Sequence, residues 1–143
     1  MEKIDKSEVK DLIKGERSAV ETYRQVFEKY GTDSTLDELR GFSADHKAAV
    51  RELLSHGESL QTDTPDSSGA WGSWAGLVTG VAKTFGEKAA LKALKEGEEH
   101  GLKQYESALD KNIPENLKSQ IRSTFIPNQK THIQTIDNLM SRV

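Results

Sequence analysis

Two glutamates and two histidines stand at matching places in the two halves of the sequence, and their side chains are of kinds that bind metal ions. Glu16 and Glu98 each follow a glycine, and a tyrosine comes seven residues after each of them. His46 and His132 come roughly thirty residues after the glutamates, each with an aliphatic residue four positions on. Carboxylates and imidazoles are ligands for zinc, iron and manganese. The pattern predicts a glutamate helix followed by a histidine helix, present twice in the chain.

The elements that must position these side chains are predicted to be helices. Apolar residues recur at intervals of three and four, which is typical of a helix with one buried face. No stretch alternates apolar and polar residues for long enough to make a strand. Both glutamates and both histidines lie on the apolar stripes and are therefore expected to be buried. The predicted helices cover residues of about 5–30, 36–55, 70–85, 87–109 and 115–140.

Several residues mark where these helices begin, end or bend. Asp5 and Ser7 are both candidates for the residue that caps the first helix. Gly57 is expected to end the second helix, and Pro114 lies at or just before the start of the last one. Pro127 lies inside that last helix, where it removes a backbone donor and crowds the preceding turn. It predicts a kink shortly before the second histidine.

The lengths of the connections predict how the helices are arranged. The first two helices join through a short loop, as do the last two, so each pair is expected to form an antiparallel hairpin. The polar loop of residues 58–69 and the segment 70–85 are together long enough to return along the bundle. The prediction is a single all-α domain over residues 1–143, built as a ferritin-like four-helix bundle with one long crossover.

Composition narrows the class of protein. The chain has 143 residues, a formal net charge of −3 and no cysteine, so disulfides, thiolate chemistry and cysteine-ligated metal sites are excluded. Positive and negative residues are interspersed without a basic block, which makes nucleic acid an unexpected partner. The charged first residues lack the apolar run of a signal peptide. A cytoplasmic protein is expected.

The crossover segment, residues 70–85, differs in composition from the rest of the chain. It carries Trp71 and Trp74 on one stripe and glycines every four residues on another face. Small residues at this spacing allow close helix packing, as in membrane helix pairs, but about sixteen residues are too few to span a bilayer. We interpret it as an additional helix packed on the bundle. The alternative is a contact surface for a partner, a second copy of the chain or a membrane surface.

The charge balance favours one metal ion over two. In ferritin-like di-iron centres, a bridging glutamate stands three residues before each histidine. Ser43 and Gln129 occupy these positions here. Two divalent ions would face only two carboxylates, whereas one zinc, iron or manganese ion held by Glu16, His46, Glu98 and His132 would be neutral. These four residues are the predicted ligands. Tyr23, Tyr105, Ser43 and Gln129 are predicted to surround them.

Other readings of the same residues stay open. A buried Glu–His network without metal is one, with each carboxylate held by an imidazolium or a tyrosine hydroxyl. A metal-free scaffold or interaction protein that uses Trp71 and Trp74 is another, and a di-iron oxidase or peroxide-handling enzyme is a third. No catalytic residues are assigned. His56 and His100 lie off the apolar stripes and are not predicted to be ligands.

Residues 9–112 resemble a bacterial family of ferritin-like four-helix proteins whose domain has no known function. The matching pieces are Leu12 to Glu16, Tyr23, the glycine-rich segment around Gly69 and Trp71 to Gly80, and Gly97 to Tyr105. The resemblance implies a ferritin-like bundle in a cytoplasmic, stress-associated protein. It implies no assigned activity. Ser43 and Gln129 depart from the carboxylate-bridged metal sites of the wider ferritin-like group.

Overall fold

The computed structural model describes residues 3–30, 34–61 and 87–142. Over these ranges the chain is entirely helical, as predicted, and has no strand. A 3-10 turn (Ser34–Leu36) precedes the second helix, and a π-helical turn (Ile121–Phe125) joins the last two. The helices are α1 (Lys6–Tyr30), α2 (Asp37–Ser59), α3 (Glu87–Ala108), α4 (Glu115–Gln120) and α5 (Ile126–Met140). The predicted crossover helix at 70–85, with Trp71 and Trp74, lies outside the described residues.

The helices form a bundle whose two sequential pairs pack side by side. Helix α1 packs along α2, and α3 packs along α5, while α1 also contacts α3 and α2 contacts α5. Helices α1 and α3 are antiparallel, because Tyr23 reaches Glu98 and Tyr105 reaches Glu16. At the end of the bundle where α1 begins and α3 ends, the backbone N–H of Asp5 donates to the carbonyl of Asn112 at 2.7 Å. Over the described ranges, no helix is long and apolar enough to cross a membrane.

The apolar core consists of two clusters, one toward each end of the bundle. Their members come from every one of the long helices, which is the burial expected from the three- and four-residue spacing. One cluster contains Val9, Leu12, Ile13, Ala49, Leu53, Tyr105, Ala108, Ile113, Leu117, Ile121 and Phe125. The other contains Tyr23, Val26, Leu36, Leu39, Phe42, Leu91, Ala93, Leu94, Ile136 and Leu139.

Most of the predicted helix ends agree with the structure, and one does not. Asp5 caps α1, since its Oδ1 accepts hydrogen bonds from the Glu8 N–H at 3.1 Å and the Ser7 hydroxyl at 2.7 Å. Pro114 directly precedes α4, as expected. The prediction that Gly57 ends α2 is wrong. Gly57 is buried inside the last turns of the helix, and Gln61, with φ of 54°, takes the left-handed conformation after it.

A π-helical turn stands just before Pro127, near the place where the sequence predicts a kink. The Ile126 N–H donates to the carbonyl of Ile121, five residues back instead of four. Because a proline ring crowds the carbonyl four residues before it, a wider turn accommodates Pro127 within a continuing helix. Phe125, the last residue of the irregular turn, and His132, which follows the proline in α5, are both buried.

Candidate metal centre

The four predicted ligands come together midway along the bundle. Each of the four long helical segments, namely α1, α2, α3 and the segment formed by α4 and α5, contributes one of them. On each segment the residue lies between side chains of the two apolar clusters. The side chains are almost fully withdrawn from solvent: the exposed fraction is 5% for Glu16, 2% for His46, 0% for Glu98 and 1% for His132. Unpaired charges at such a place would cost several kcal/mol each. The side chains must therefore compensate one another or bind a cation.

His46 lies between the two glutamates. Its Nδ1 is 2.6 Å from Glu16 Oε2 and its Nε2 is 2.7 Å from Glu98 Oε1. Burial lowers the pKa of His46, but the charges of Glu98 and Glu16 outweigh burial and raise that pKa well above 6.5. In the absence of a metal ion, His46 is therefore an imidazolium that donates one hydrogen bond to each carboxylate.

Glu98 accepts hydrogen bonds from three side chains. Besides His46, the Tyr23 hydroxyl donates to its Oε1 at 2.7 Å, and His132 Nδ1 lies 3.3 Å from its Oε2. Burial raises the pKa of Glu98, but the charge of His46 and the hydrogen bonds from His132 and His46 prevail and lower it to about 2. Glu98 is thus ionised although it has no exposed surface.

The two tyrosines are joined to the glutamates across the bundle. Tyr105 donates to Glu16 Oε1 at 2.7 Å, just as Tyr23 donates to Glu98. Burial and the neighbouring carboxylates raise the pKa of both hydroxyls well above 10, so both stay protonated donors. The repeated glutamate–tyrosine spacing of the sequence therefore has a structural meaning, since each tyrosine serves the glutamate of the opposite helix.

Asp45 also belongs to the network, although it was not among the predicted site residues. Its Oδ2 lies 2.8 Å from Nε2 of His132, and the ring of His132 stacks on Phe42 with centroids 4.1 Å apart. Successive residues of a helix point about 100° apart. Because α2 packs against both α1 and α5, His46 can face Glu16 while Asp45 faces His132. Only the packing partners of α2 could have revealed this.

Gln129 and Ser43, which take the place of bridging glutamates, differ in position. The Gln129 side-chain amide donates to the backbone carbonyl of Glu98 at 3.0 Å. It can do so because residue 101 is glycine, since a Cβ there would lie 2.6 Å from Gln129 Nε2. Ser43 instead lines a separate cavity of about 330 Å³ that is also bordered by Val20 and Phe27. Gln129 thus supports Glu98, and Ser43 faces the other cavity.

Three of the side chains can offer ligand atoms to a common point. One ring nitrogen each from His46 and His132 and one oxygen of Glu98 lie within 4.8 Å of one another. Ligand atoms around a tetrahedral zinc ion are about 3.4 Å apart, given bonds of about 2.1 Å. An ion would therefore need to draw the most distant of these atoms together by up to about 1.4 Å. Glu16 falls outside this group and lies behind His46, on its other ring nitrogen.

The donor set fits a divalent ion of borderline softness. Two imidazoles and one carboxylate are the protein ligands of many zinc sites that keep one further position open. Each histidine presents one nitrogen toward Glu98 and the other toward a second carboxylate, Glu16 or Asp45. Such a carboxylate behind a ligating histidine fixes the orientation of the ring and makes the other nitrogen a stronger ligand for the metal ion. A cavity of about 10 Å³, enough for about one water molecule, adjoins both histidines.

The remaining histidines lie apart from this cluster. His56 Nε2 is 3.0 Å from Gln120 Oε1 near the end of α2, and His100 is exposed on α3. This agrees with their predicted exclusion from the site.

Comparison with known proteins identifies the family. No curated protein and no solved structure matches the chain. The model of one family matches residues 6–111, which include α1, α2 and α3 with Glu16, His46 and Glu98. The matched region is well over half of the chain, although it ends before α5 and His132. The chain therefore belongs to the family described as a domain of unknown function, DUF2383.

Proposed function

We propose that this protein binds a single divalent metal ion, zinc, iron or manganese, between its helices and is not an enzyme. The ligands in this proposal are His46, His132 and Glu98, with Glu16 and Asp45 holding the two imidazoles from behind. This differs from the four-ligand set expected from the sequence in one respect. Glu16 is assigned to the ring nitrogen of His46 that faces away from the ion, and not to the ion itself. The observation that carries the proposal is the convergence of the three ligand atoms within 4.8 Å in the core.

The charges of the site also support an ion. Glu16 and Glu98 provide two negative charges with exposed fractions of 5% and 0%, and a divalent ion would balance both. Without an ion, the proton on His46 places a single positive charge between the two carboxylates. Binding therefore replaces a proton by a cation of higher charge, and metal uptake should release protons.

A ferritin-like arrangement of the bundle is part of the proposal. Two hairpins whose helices contribute one glutamate or one histidine each are compatible with it. Di-iron chemistry is disfavoured, since Gln129 and Ser43 stand where bridging carboxylates would be needed. The association with stress responses stays a prediction from the resemblance.

A metal-free network is the second candidate, because every ligand-type atom of the cluster already has a partner. In that case the network would fix the positions of the four long helical segments relative to one another and would supply no binding site. The scaffold role of Trp71 and Trp74 concerns residues outside the described ranges and stays a prediction.

Metal analysis separates these candidates. Protein without a histidine tag is stripped, loaded with zinc, manganese or iron(II), and freed of excess ion by gel filtration. We expect about one ion per chain, and at an ion concentration a hundred times Kd a stabilisation of about 2.7 kcal/mol. Glu98→Gln should lose the ion. His56→Gln, a histidine change outside the cluster, should retain it. Metal-free wild-type protein whose melting is unchanged by all three ions would refute the proposal.

A further inference from the structure

We propose that the metal ion enters and leaves the site past Asp45, between α2 and α5, with Asp45 as its first protein ligand. This inference rests on the proposed function, because it concerns the path of the same ion. It gives Asp45 a kinetic role in addition to its contact with His132.

Exposure distinguishes Asp45 from the rest of the network. Its side chain is 43% exposed, whereas its partner His132 is 1% exposed. The tyrosines and glutamates of the network are 5% exposed or less, and so is His46. Among the described residues of the network, Asp45 is thus the one through which solvent meets the buried hydrogen-bonded chain.

A small cavity connects this carboxylate with the two histidine ligands. The cavity of about 10 Å³ is lined by Asp45, both histidines and Glu16, together with the amide side chains of Asn128 and Gln129. A hydrated cation must exchange its water for protein ligands as it enters, and amide and carboxylate oxygens serve that purpose. The lining of the cavity supplies both kinds of oxygen beside the two histidines.

Described side chains close the directions along the bundle axis and through the α1–α3 side. The two apolar clusters lie above and below the site along the bundle axis. Tyr23 and Tyr105, both fully or almost fully buried, close the α1–α3 side by their bonds to the glutamates. A cation crossing any of these layers would lose its hydration without gaining a ligand, which costs several kcal/mol.

Rates of uptake and release distinguish this role from mere support of His132. A carboxylate that only orients the imidazole would change affinity through faster release and leave the uptake rate constant unchanged. A carboxylate at the mouth of the route raises the local cation concentration and hence the uptake rate, by 10-fold or more. Removing its charge should therefore slow uptake.

Stopped-flow mixing of stripped protein with cobalt(II), followed by the visible absorption of the bound ion, measures this rate. We expect Asp45→Asn to take up cobalt about tenfold more slowly than wild type, and Asp45→Glu to restore most of the rate. Glu52→Gln is the matched control, since it removes one exposed carboxylate from the same helix and should leave the rate unchanged. Increasing salt should slow uptake in wild type more than in Asp45→Asn.

Each outcome bears on a different claim. Uptake by Asp45→Asn at the wild-type rate, in protein that melts like wild type, would overturn the entry route while leaving the metal site intact. An equal slowing by Glu52→Gln would overturn it too, because net charge alone would then explain the effect. If Asp45→Asn melts early, Asp45→Ser and the salt dependence of wild type serve the same comparison. Wild-type protein that binds no cobalt, zinc or manganese at equilibrium would instead refute the proposed function.

Discussion

Replacing His46 by leucine in the metal-free protein tests how the buried charges are balanced. Leucine has a similar volume but cannot donate to either glutamate. The change would leave Glu98 with the hydrogen bonds of Tyr23 and His132, and Glu16 with that of Tyr105, but without the positive charge between them. The two carboxylates would then lose the imidazolium that lies between them.

The expected loss of stability can be obtained in two ways. Lowering the pKa of Glu98 from 4.5 to about 2 corresponds to about 3 kcal/mol in favour of the ionised form, much of it due to His46. Independently, removing one partner of a buried ion pair destabilises proteins by about 3–5 kcal/mol. We therefore expect His46→Leu to lower the free energy of unfolding by about 3 kcal/mol at pH 7. The melting temperature should fall by roughly 10 °C.

Urea unfolding at pH 7 and pH 4, with metal removed, measures the effect. The difference between wild type and His46→Leu should shrink at the lower pH, because protonation removes the charge that leucine leaves unpaired. His56→Leu is the matched control, since His56 is half-buried and bonds to Gln120, and should cost about 1 kcal/mol or less. The double variant His46→Leu/Glu98→Gln should cost clearly less than the sum of its parts.

Two results would refute this reasoning. One is a loss below about 1 kcal/mol for His46→Leu at pH 7, no larger than that of the control. The other is additivity of His46→Leu and Glu98→Gln, which would mean that the two side chains do not interact. Either would show that the glutamates obtain their compensation elsewhere.

The metal-free protein should be most stable between about pH 4.5 and 6.5. The pKa of Glu98 is lowered from 4.5 to about 2, so its contribution is present above pH 4.5 and is lost as pH falls toward 2. The pKa of His46 is raised above 6.5, so its contribution is complete below pH 6.5 and is lost as pH rises through the raised value. Midpoints of urea unfolding, measured across this pH range, test both the loss of stability at low pH and the loss at high pH. Stability that still increases above pH 9 would contradict the expected role of His46. Two glycines on facing helices should respond differently to alanine: Gly15→Ala should stabilise by about 0.5–1 kcal/mol through helix propensity, because the new Cβ meets only the movable end of a glutamine. Gly101→Ala should show no net gain, because its Cβ would push Gln129 off the carbonyl of Glu98; equal melting temperatures for the two variants would contradict this.

The helices and their buried faces could be predicted from the sequence because both follow from local spacing. Val9, Leu12, Glu16, Ala19 and Tyr23 recur at helical intervals, and all five are buried on α1. The same rule placed Glu98 and His132 in the core. Gly57 shows the limit of such local rules, since glycine favours a helix end in general but here continues α2 at a buried position.

The connections within the site could be predicted only in part, because they depend on how helices face one another. Spacing put Tyr23 and Tyr105 on the inner faces, yet only the antiparallel packing of α1 and α3 brings each hydroxyl to the opposite glutamate. Asp45 points about 100° away from His46 on the same helix, so spacing alone does not predict its place in the site. Because α2 contacts both α1 and α5, the side of α2 that carries Asp45 faces His132.

A crystal structure of the zinc-soaked protein, with anomalous data at the zinc absorption edge, tests the metal site most directly. We expect one strong anomalous peak between Glu98, His46 and His132, with zinc–ligand bonds of about 2.0–2.2 Å. Glu16 and Asp45 should still hold the far nitrogens of the two histidines. A crystal soaked in excess zinc that shows no peak among these residues, with His46 still bonded to both glutamates, would contradict it.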